Sequence, residues 1–583
     1  MKRDRSIYLF GEKHLSFVTF IIISTMVSLL LPIGLYANSL AGKKLKKEFK
    51  LQNKYVRAYF TSEGLTKLTD RGLHKSYSFQ YDKFSITLNG HKINRQSLQL
   101  ASIHERKNQL VYTYTNPDYT ITSIYQIKPG WHFISKQLKI VAKGKSGYTV
   151  NRVNVLQEQL ANKVNSDYIA RALHQNLGPK DYGIFLRFKD QTGMFALVQN
   201  PFLNIHRSGN SFNITYKADM KWKTSYGEFF SDRACLGTYK LSGVSVPVDM
   251  LPEWKWTDGK IPDKGPQEDK AEIHAFTDCV SKFIVDHNPK PINVNVGWTE
   301  NDYQIDVSTK SGRDVYKRII NQASRIGIKD IVYAPTNSKL GTFKQAVDDW
   351  HWENLLWLGL GIKIRKDEWN PETDSIPSSI KDMLTYARSK GVRLMAYVYP
   401  VMPFKQNKKW LVTVNEYGHK KQYANLGFRS FQNWLIKELS EFKEKTGIGG
   451  YSFDYTFLNY PGASKYAQWK GWQRVLEALR KRFPHIGRQS YQYYGPWSWL
   501  AGSYPHPTSM DEQPESFVPF PDLQFDRVSA DRARYANYRY RIRSFCPSYL
   551  IPGFISHQTP RINDKGELVR QPFRRRDWDY MGW

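Results

Sequence analysis

The chain has 583 residues, enough for two or more domains and a large core. Aromatic residues make up 15% of it, with 17 Trp and 37 Tyr, a composition that suits stacking on sugar rings as well as filling a core. The formal net charge is +32, yet no RNP, zinc-finger or helix-turn-helix pattern accompanies it. Nucleic acid is therefore a poor partner, and an anionic glycan or the cell envelope is what this charge would attract.

The N-terminus reads as an export signal. Lys2, Arg3, Arg5 and Lys13 precede the uncharged run "LSFVTFIIISTMVSLLLPIGLYA". "ANSLA" then offers small residues at Ala37 and Ser39, or Ser39 and Ala41, as a cleavage pattern. Residues 1–41 are expected to be a signal peptide of a secreted or periplasmic protein. The alternative is an uncleaved membrane anchor, since the run is long enough to span a bilayer. Three cysteines (Cys235, Cys279 and Cys546) form neither a disulfide framework nor a zinc pattern and are expected to be buried and structural.

From residue 42 to 270 the sequence alternates in β fashion. "VRAYFTS", "FSITLNGHKI", "LVYTYTN", "YTITSIYQIK" and "WHFISKQLKIV" are short strands with turn residues between them. Asn89-Gly90 is a hairpin signal, because that pair accepts the positive φ angles of a type I′ turn. Many strands with little helix predict a large antiparallel β-sandwich. The polar Pro/Gly stretch "TDGKIPDKGPQEDK" closes this region.

From 271 to 583 helical stretches alternate with apolar strands. The helix-like "AEIHAFTDCVSKFIVDH" leads into the strand "KPINVNVGW", "DVYKRIINQASRIG" precedes "IKDIVYAPTN", "IPSSIKDMLTYARSKG" precedes "VRLMAYVYP", and "SFQNWLIKELSEFKEKTG" precedes "GGYSFDYTF". "WQRVLEALRKRFPH" precedes "IGRQSYQYYG", and "HPTSMDEQ" and "SYLIPGFISHQ" are further strand-like stretches. The pattern predicts a parallel (β/α)8 TIM barrel, and neither a GxGxxG nor a P-loop argues for a nucleotide-binding sheet. Only seven strands are visible before the chain ends, so the barrel is expected to be incomplete at its C-terminus.

Barrel chemistry sits at the C-terminal ends of strands. Asp454 follows the fourth strand, and Asp511 and Glu512 follow the sixth. Two carboxylates across a barrel mouth can run glycoside chemistry, or each can simply cap a loop. No HExxH, calcium loop or close His pair is present, and no G-x-S-x-G elbow, so a metal-free and cofactor-free carboxylate mechanism is the expectation. Trp298, Tyr333, Tyr399, Tyr491 and His557 fall at strand ends and are candidate walls of a sugar pocket, though each is equally placed to be packing.

At these residues the chain resembles the α-galactosidases and raffinose synthases of glycoside hydrolase family 36 and its clan. The family's fourth strand reads K-W-D-M-N, and the matching residues are Ser452, Phe453, Asp454, Tyr455 and Thr456. Its sixth strand reads T-S-D-D, matched by "TSMDEQ"; its third, L-W-V-E-P, is matched by Ala396 to Pro400, and H-Q-T-G-R by His557 to Arg561. The resemblance implies a sandwich followed by a barrel and a retaining mechanism, with Asp454 as nucleophile and Asp511, or alternatively Glu512, as acid/base. It implies no cofactor and a carbohydrate substrate. Ser452 stands where the family keeps a sugar-reading Lys, and the Asp and Trp after the second strand are missing. The resemblance therefore does not imply α-galactose as the sugar, and the basic charge suits a sulfated or otherwise anionic one. The rival reading is a non-catalytic glycan-binding or envelope protein on a decayed hydrolase scaffold, and a transglycosylase is a third. Family members continue past the chain's last motif into an eighth strand and a further β-domain.

Overall fold

The computed structural model describes residues 47–144, 146–172, 180–200 and 202–246 of the first half. Beyond them it describes 268–269, 271–272, 274–276, 278–279, 282, 295–296, 310–325, 330–332, 378–398, 400–401, 408–416, 418–453, 458–490, 504–505, 561–562 and 568–569. All of these belong to one compact unit, Lys47–Trp583.

The first half is a β-sandwich. Its early strands are β1 (Phe49–Gln52), β2 (Val56–Thr61), β3 (Gly64–Asp70), β4 (Lys75–Leu88), β5 (His91–Asn94) and β6 (Gln99–Arg106). There follow β7 (Gln109–Thr115), β8 (Tyr119–Gln126), β9 (Phe133–Ala142), β10 (Gly147–Leu160), β11 (Ser166–Ala172) and β12 (Lys180–Arg187). The last five are β13 (Thr192–Val198), β14 (Leu203–Ser208), β15 (Ser211–Lys223), β16 (Phe229–Phe230) and β17 (Ala234–Lys240).

Antiparallel pairing arranges them as two sheets, of eight and nine strands. One runs β1-β2-β3-β4-β10-β15-β14, with β5 folded back on β4. The other runs β11-β12-β13-β17-β9-β8-β7-β6, with β16 beside β17 on one edge of β9. A single pairing, Asp181 with Leu203, joins them. The predicted hairpin is present: Asn89 and Gly90 take φ of 50° and 82° between β4 and β5.

Strict alternation explains why the sheets face each other. In β2 every second residue of "VRAYFT" is buried, and β7 buries Leu110, Tyr112 and Tyr114 in the same rhythm. Aromatic rings cross the interface, with Phe60 against Tyr125 at 5.0 Å and Tyr77 against Phe188 at 5.0 Å. Their polar tips are satisfied: Tyr112 donates to the Thr61 carbonyl at 2.7 Å.

The second half contributes a parallel sheet. Its strands are β20 (Asn295–Val296), β21 (Asp330–Val332), β22 (Arg393–Val398), β25 (Gly450–Phe453), β26 (Gly487–Ser490) and β27 (Tyr504–Pro505), paired in that order. Two short strand pairs supply the remaining numbers: β18 (Ser245–Val246) with β19 (Glu268–Asp269), and β23 (Leu411–Glu416) with β24 (His419–Ala424). Helices α1 (Lys310–Arg325), α2 (Ser378–Ser389), α3 (Arg429–Thr446) and α4 (Lys465–Arg482) alternate with the parallel strands. The described residues show six parallel strands with intervening helices in an open order, and they do not show the expected closed eight-fold barrel.

Local chemistry sets the helix ends. Gly447 takes the left-handed φ of 75° and donates its N–H to the Lys443 carbonyl, closing α3. Ser464 caps α4 by accepting from the Ala467 N–H at 3.0 Å, while its hydroxyl donates to the Ala218 carbonyl of β15 at 2.5 Å. That second bond fixes α4 to the sandwich. Tyr466 against Tyr216 at 5.1 Å and Trp469 against Phe202 at 6.4 Å complete the junction.

Candidate functional site

The strand that leads to Asp454 is β25, fourth in the order of the parallel sheet. It lies between β22 and β26, with Ser452 in register with Tyr397 on one side and Gln489 on the other. Its odd-numbered side chains are clamped by the helical layer. Tyr451 donates to the Leu439 carbonyl of α3 at 2.5 Å and is fully buried. Phe453 presses its edge on Trp472 of α4 at 4.7 Å, with the rings at 90°.

This clamp is continuous with the sandwich, because the helix that carries Trp472 is the one held by Ala218, Tyr216 and Phe202. The last described residue before Asp454 is thus set by packing that runs through two layers. Further along the chain, Tyr460 stacks on Tyr423 of β24 at 4.8 Å. Asn425 ties the same loop down, donating to the Pro461 carbonyl at 2.6 Å and accepting from the Gly427 N–H at 2.7 Å.

Of the candidate catalytic and sugar-binding residues, Ser452 lies within a described element, and there by its backbone. Asp454, Asp511, Glu512, Trp298, Tyr333, Tyr399, Tyr491 and His557 lie outside the described residues.

A feature the sequence reading did not single out is a cavity of about 480 Å³ between the sandwich and helices α3 and α4. Trp222, Tyr226 and Phe230 line it from the sandwich, and Arg429, Lys470 and Arg474 from the helices. The interleaved "KWKTSYGEFF", residues 221–230, was the available sequence signal. Its basic partners are some two hundred residues further on, which hides the cluster from a linear reading.

No protein-family model matches the chain, and no curated protein matches it in sequence. Solved structures do. A variant of the GH36 α-galactosidase AgaA from Geobacillus stearothermophilus, in complex with stachyose, aligns at TM-score 0.50 and 11% identity over 91% of this chain and 82% of that one. The fold is that of the GH36 α-galactosidases. An α-galactosidase from Lactobacillus brevis aligns at TM-score 0.49 and 12% identity, over 90% of this chain and 78% of that one. The α-N-acetylgalactosaminidase NagBb from Bifidobacterium bifidum aligns at TM-score 0.35 and 9% identity, over 80% of each. At these identities the likeness is one of fold, and the GH36-like chain is a divergent example of it.

Proposed function

We propose that the GH36-like chain is a secreted glycoside hydrolase that cleaves O-glycosidic bonds in oligo- or polysaccharides with retention, using Asp454 as nucleophile and Asp511 as acid/base. One observation carries this reading. Tyr451 and Phe453, at odd positions, face the helices, which leaves the even positions of β25 for the other face of the sheet. Asp454 is even and directly follows the strand's last residue, the place where parallel α/β barrels keep their chemistry. The antiparallel sandwich before this sheet, and the GH36 fold as a whole, support the assignment.

In this reading the parallel sheet closes into a barrel, and Asp454 attacks the anomeric carbon as Asp511 protonates the departing oxygen. Asp511 then takes a proton from a water that attacks the anomeric carbon, and the bond to Asp454 breaks to free its carboxylate. The mechanism requires the two carboxyl groups roughly 5–5.5 Å apart; roughly 6.5–9.5 Å would instead leave room for the water of an inverting enzyme. Glu512 is the alternative acid/base. Ser452 in place of the family's Lys leaves the sugar open, and the net charge of +32 favours an anionic one.

The test uses the full-length chain against aryl α-glycosides of several sugars, with the anomer of the first product followed by NMR. Turnover that vanishes in Asp454→Ala, and that azide restores in Asp511→Ala on substrates with good leaving groups, supports the assignment. Azide rescue of Glu512→Ala instead moves the acid/base role to Glu512. Wild type that binds glycans but turns over none of them would give the chain to the non-catalytic reading.

A further inference from the structure

The cavity between the sandwich and α3/α4 is separate from the end of β25. Lys470, Gln473, Arg474 and Glu477 form one stripe of α4 and line it, whereas Trp472, which meets Phe453, lies on the opposite side of the helix.

Two half-buried guanidinium groups on its wall have no carboxylate partner among the described residues. Arg429 lies over the ring of Tyr226, 4.8 Å from its centroid, and has no carboxylate beside it among the described residues. Among the described residues Arg474 bonds to neutral amides, Gln432 Oε1 at 3.3 Å and Asn433 Oδ1 at 2.7 Å. Burial lowers the proton affinity of both, and the charge of Arg429 adds to the effect on Arg474, which is brought down to about 10. Asp232 on the same wall is committed elsewhere, accepting from Asn200 at 2.8 Å and pairing with Lys470 at 3.3 Å.

The sandwich side of the cavity is aromatic. Phe230 is 41% exposed, one of two large hydrophobic side chains left so open among the described residues. Trp222 is held beside it by donating its indole N–H to the Gly227 carbonyl at 2.9 Å, with Tyr226 and Phe229 set edge-on at 5.6 and 5.4 Å. An uncovered ring beside two fixed ones gives a stacking platform, and two guanidinium groups without a carboxylate among the described residues give an oxyanion seat.

We propose that this cavity binds a sugar unit bearing an oxyanion, its charged group between Arg429 and Arg474 and its ring against the Trp222, Tyr226 and Phe230 wall. It is a second glycan site, and it gives the basic charge of the chain a specific place to act. The inference stands apart from the hydrolase reading, because it uses the other side of α4.

Titration calorimetry at low salt on the full-length chain tests it with four probes: galactose 6-sulfate, galacturonate, galactose and inorganic sulfate. One or both anionic sugars should bind at least about tenfold tighter than galactose or inorganic sulfate, and the stronger of the two identifies the sulfate ester or the carboxylate as the group read. Arg429→Gln/Arg474→Gln should lower that affinity at least about tenfold, whereas Phe230→Ala should weaken the anionic sugar and leave inorganic sulfate unchanged. Asp454→Ala should bind as wild type does, whether or not wild type has hydrolase activity. Anionic sugars that bind no tighter than inorganic sulfate, or binding that survives loss of both arginines or disappears with Asp454, would overturn the proposal. A folded far-UV spectrum for each variant ensures that the losses are read at the cavity.

Discussion

Glu272 grips Arg187 with both carboxyl oxygens, at 2.8 Å to Nε and 2.7 Å to Nη2. The same carboxylate accepts from Tyr239 at 2.8 Å, from Tyr168 at 3.1 Å and from the Asp269 N–H at 3.0 Å. Phe276, one helical turn on, packs against Phe185 at 5.6 Å and Phe195 at 6.2 Å. The segment leaving the sandwich is therefore anchored to it by a carboxylate with every lone pair engaged. Glu272→Gln keeps the shape but removes the charge, and Gln cannot accept on both sides. The expected cost is about 3 kcal/mol, the low end for a broken buried pair because Arg187 retains access to water. Urea denaturation should show the lower midpoint with an unchanged m-value.

A second buried cluster separates two carboxylates that are alike in sequence. Burial pushes Asp82 up, but the charge of Lys136 and hydrogen bonds from Lys136 and Tyr125 outweigh it and hold Asp82 below its ordinary value. Glu158 is driven well above its ordinary value, by burial first and then by the charge of Asp82, with Lys136 at 3.6 Å opposing. The cluster thus favours an ionised Asp82 and a protonated Glu158. Lys136→Met, which strands the Asp82 carboxylate, should cost about 3–5 kcal/mol, while Glu158→Gln should cost under about 1 kcal/mol. The sign of the pH effect follows from Glu158. Its folded form keeps a proton that the unfolded chain releases, so its contribution is full below the ordinary glutamate value and is lost as pH rises above it. Glu158→Gln should flatten that part of the stability curve, measured as urea midpoint against pH.

Much of the fold was legible because it rests on local rules. The alternation of "LVYTYTN", the Asn89-Gly90 turn and the stop of α3 at Gly447 each need only a few adjacent residues. The hairpin β23–β24 was missed, since "HKKQYA" exposes four residues in a row and carries no alternation. Helix α4 begins earlier than its periodic run "WQRVLEALRKRF" suggests, because Ser464 caps it and the sandwich holds its first turns. The fourth-strand position of Gly450–Phe453 was readable from the helix–strand count. The cavity was not, since it depends on tertiary pairing of residues 221–233 with α3 and α4.

Lys443 gives a pH effect of the opposite sign. Burial, then the charges of Arg388 and Arg393, bring it down to about 8, although its ammonium donates to the Ile448 carbonyl at 2.6 Å. Below that value the folded chain must hold a charge in an unfavourable place, a cost the unfolded chain does not share. Between about 8 and about 10.4, where the unfolded lysine loses its own proton, the unfolded chain binds more protons and stability rises with pH. Lys443→Met should raise the Tm at pH 7 and abolish this part of the rise, as differential scanning calorimetry at pH 7 and pH 10 would show.

Gly471 decides how closely α4 can lie to the segment before α3. A Cβ there would stand 1.9 Å from the Leu426 carbonyl oxygen and 2.4 Å from Gln432 Nε2. Gln432 is itself committed, donating to that same carbonyl at 2.8 Å. In an open helix Gly→Ala would stabilise by about 1 kcal/mol. Here the obstacle is backbone, so the helix must move, and overpacking of this kind costs about 1–3 kcal/mol. The clash is the larger effect, and Gly471→Ala should lower stability on balance. Because Trp472 is the next residue and meets Phe453 at 4.7 Å, the shift should also reach β25. Loss of near-ultraviolet circular dichroism from the tryptophans, with helical content kept, is the expected signature; a stabilised variant with an unchanged spectrum would show that the two segments can part without cost.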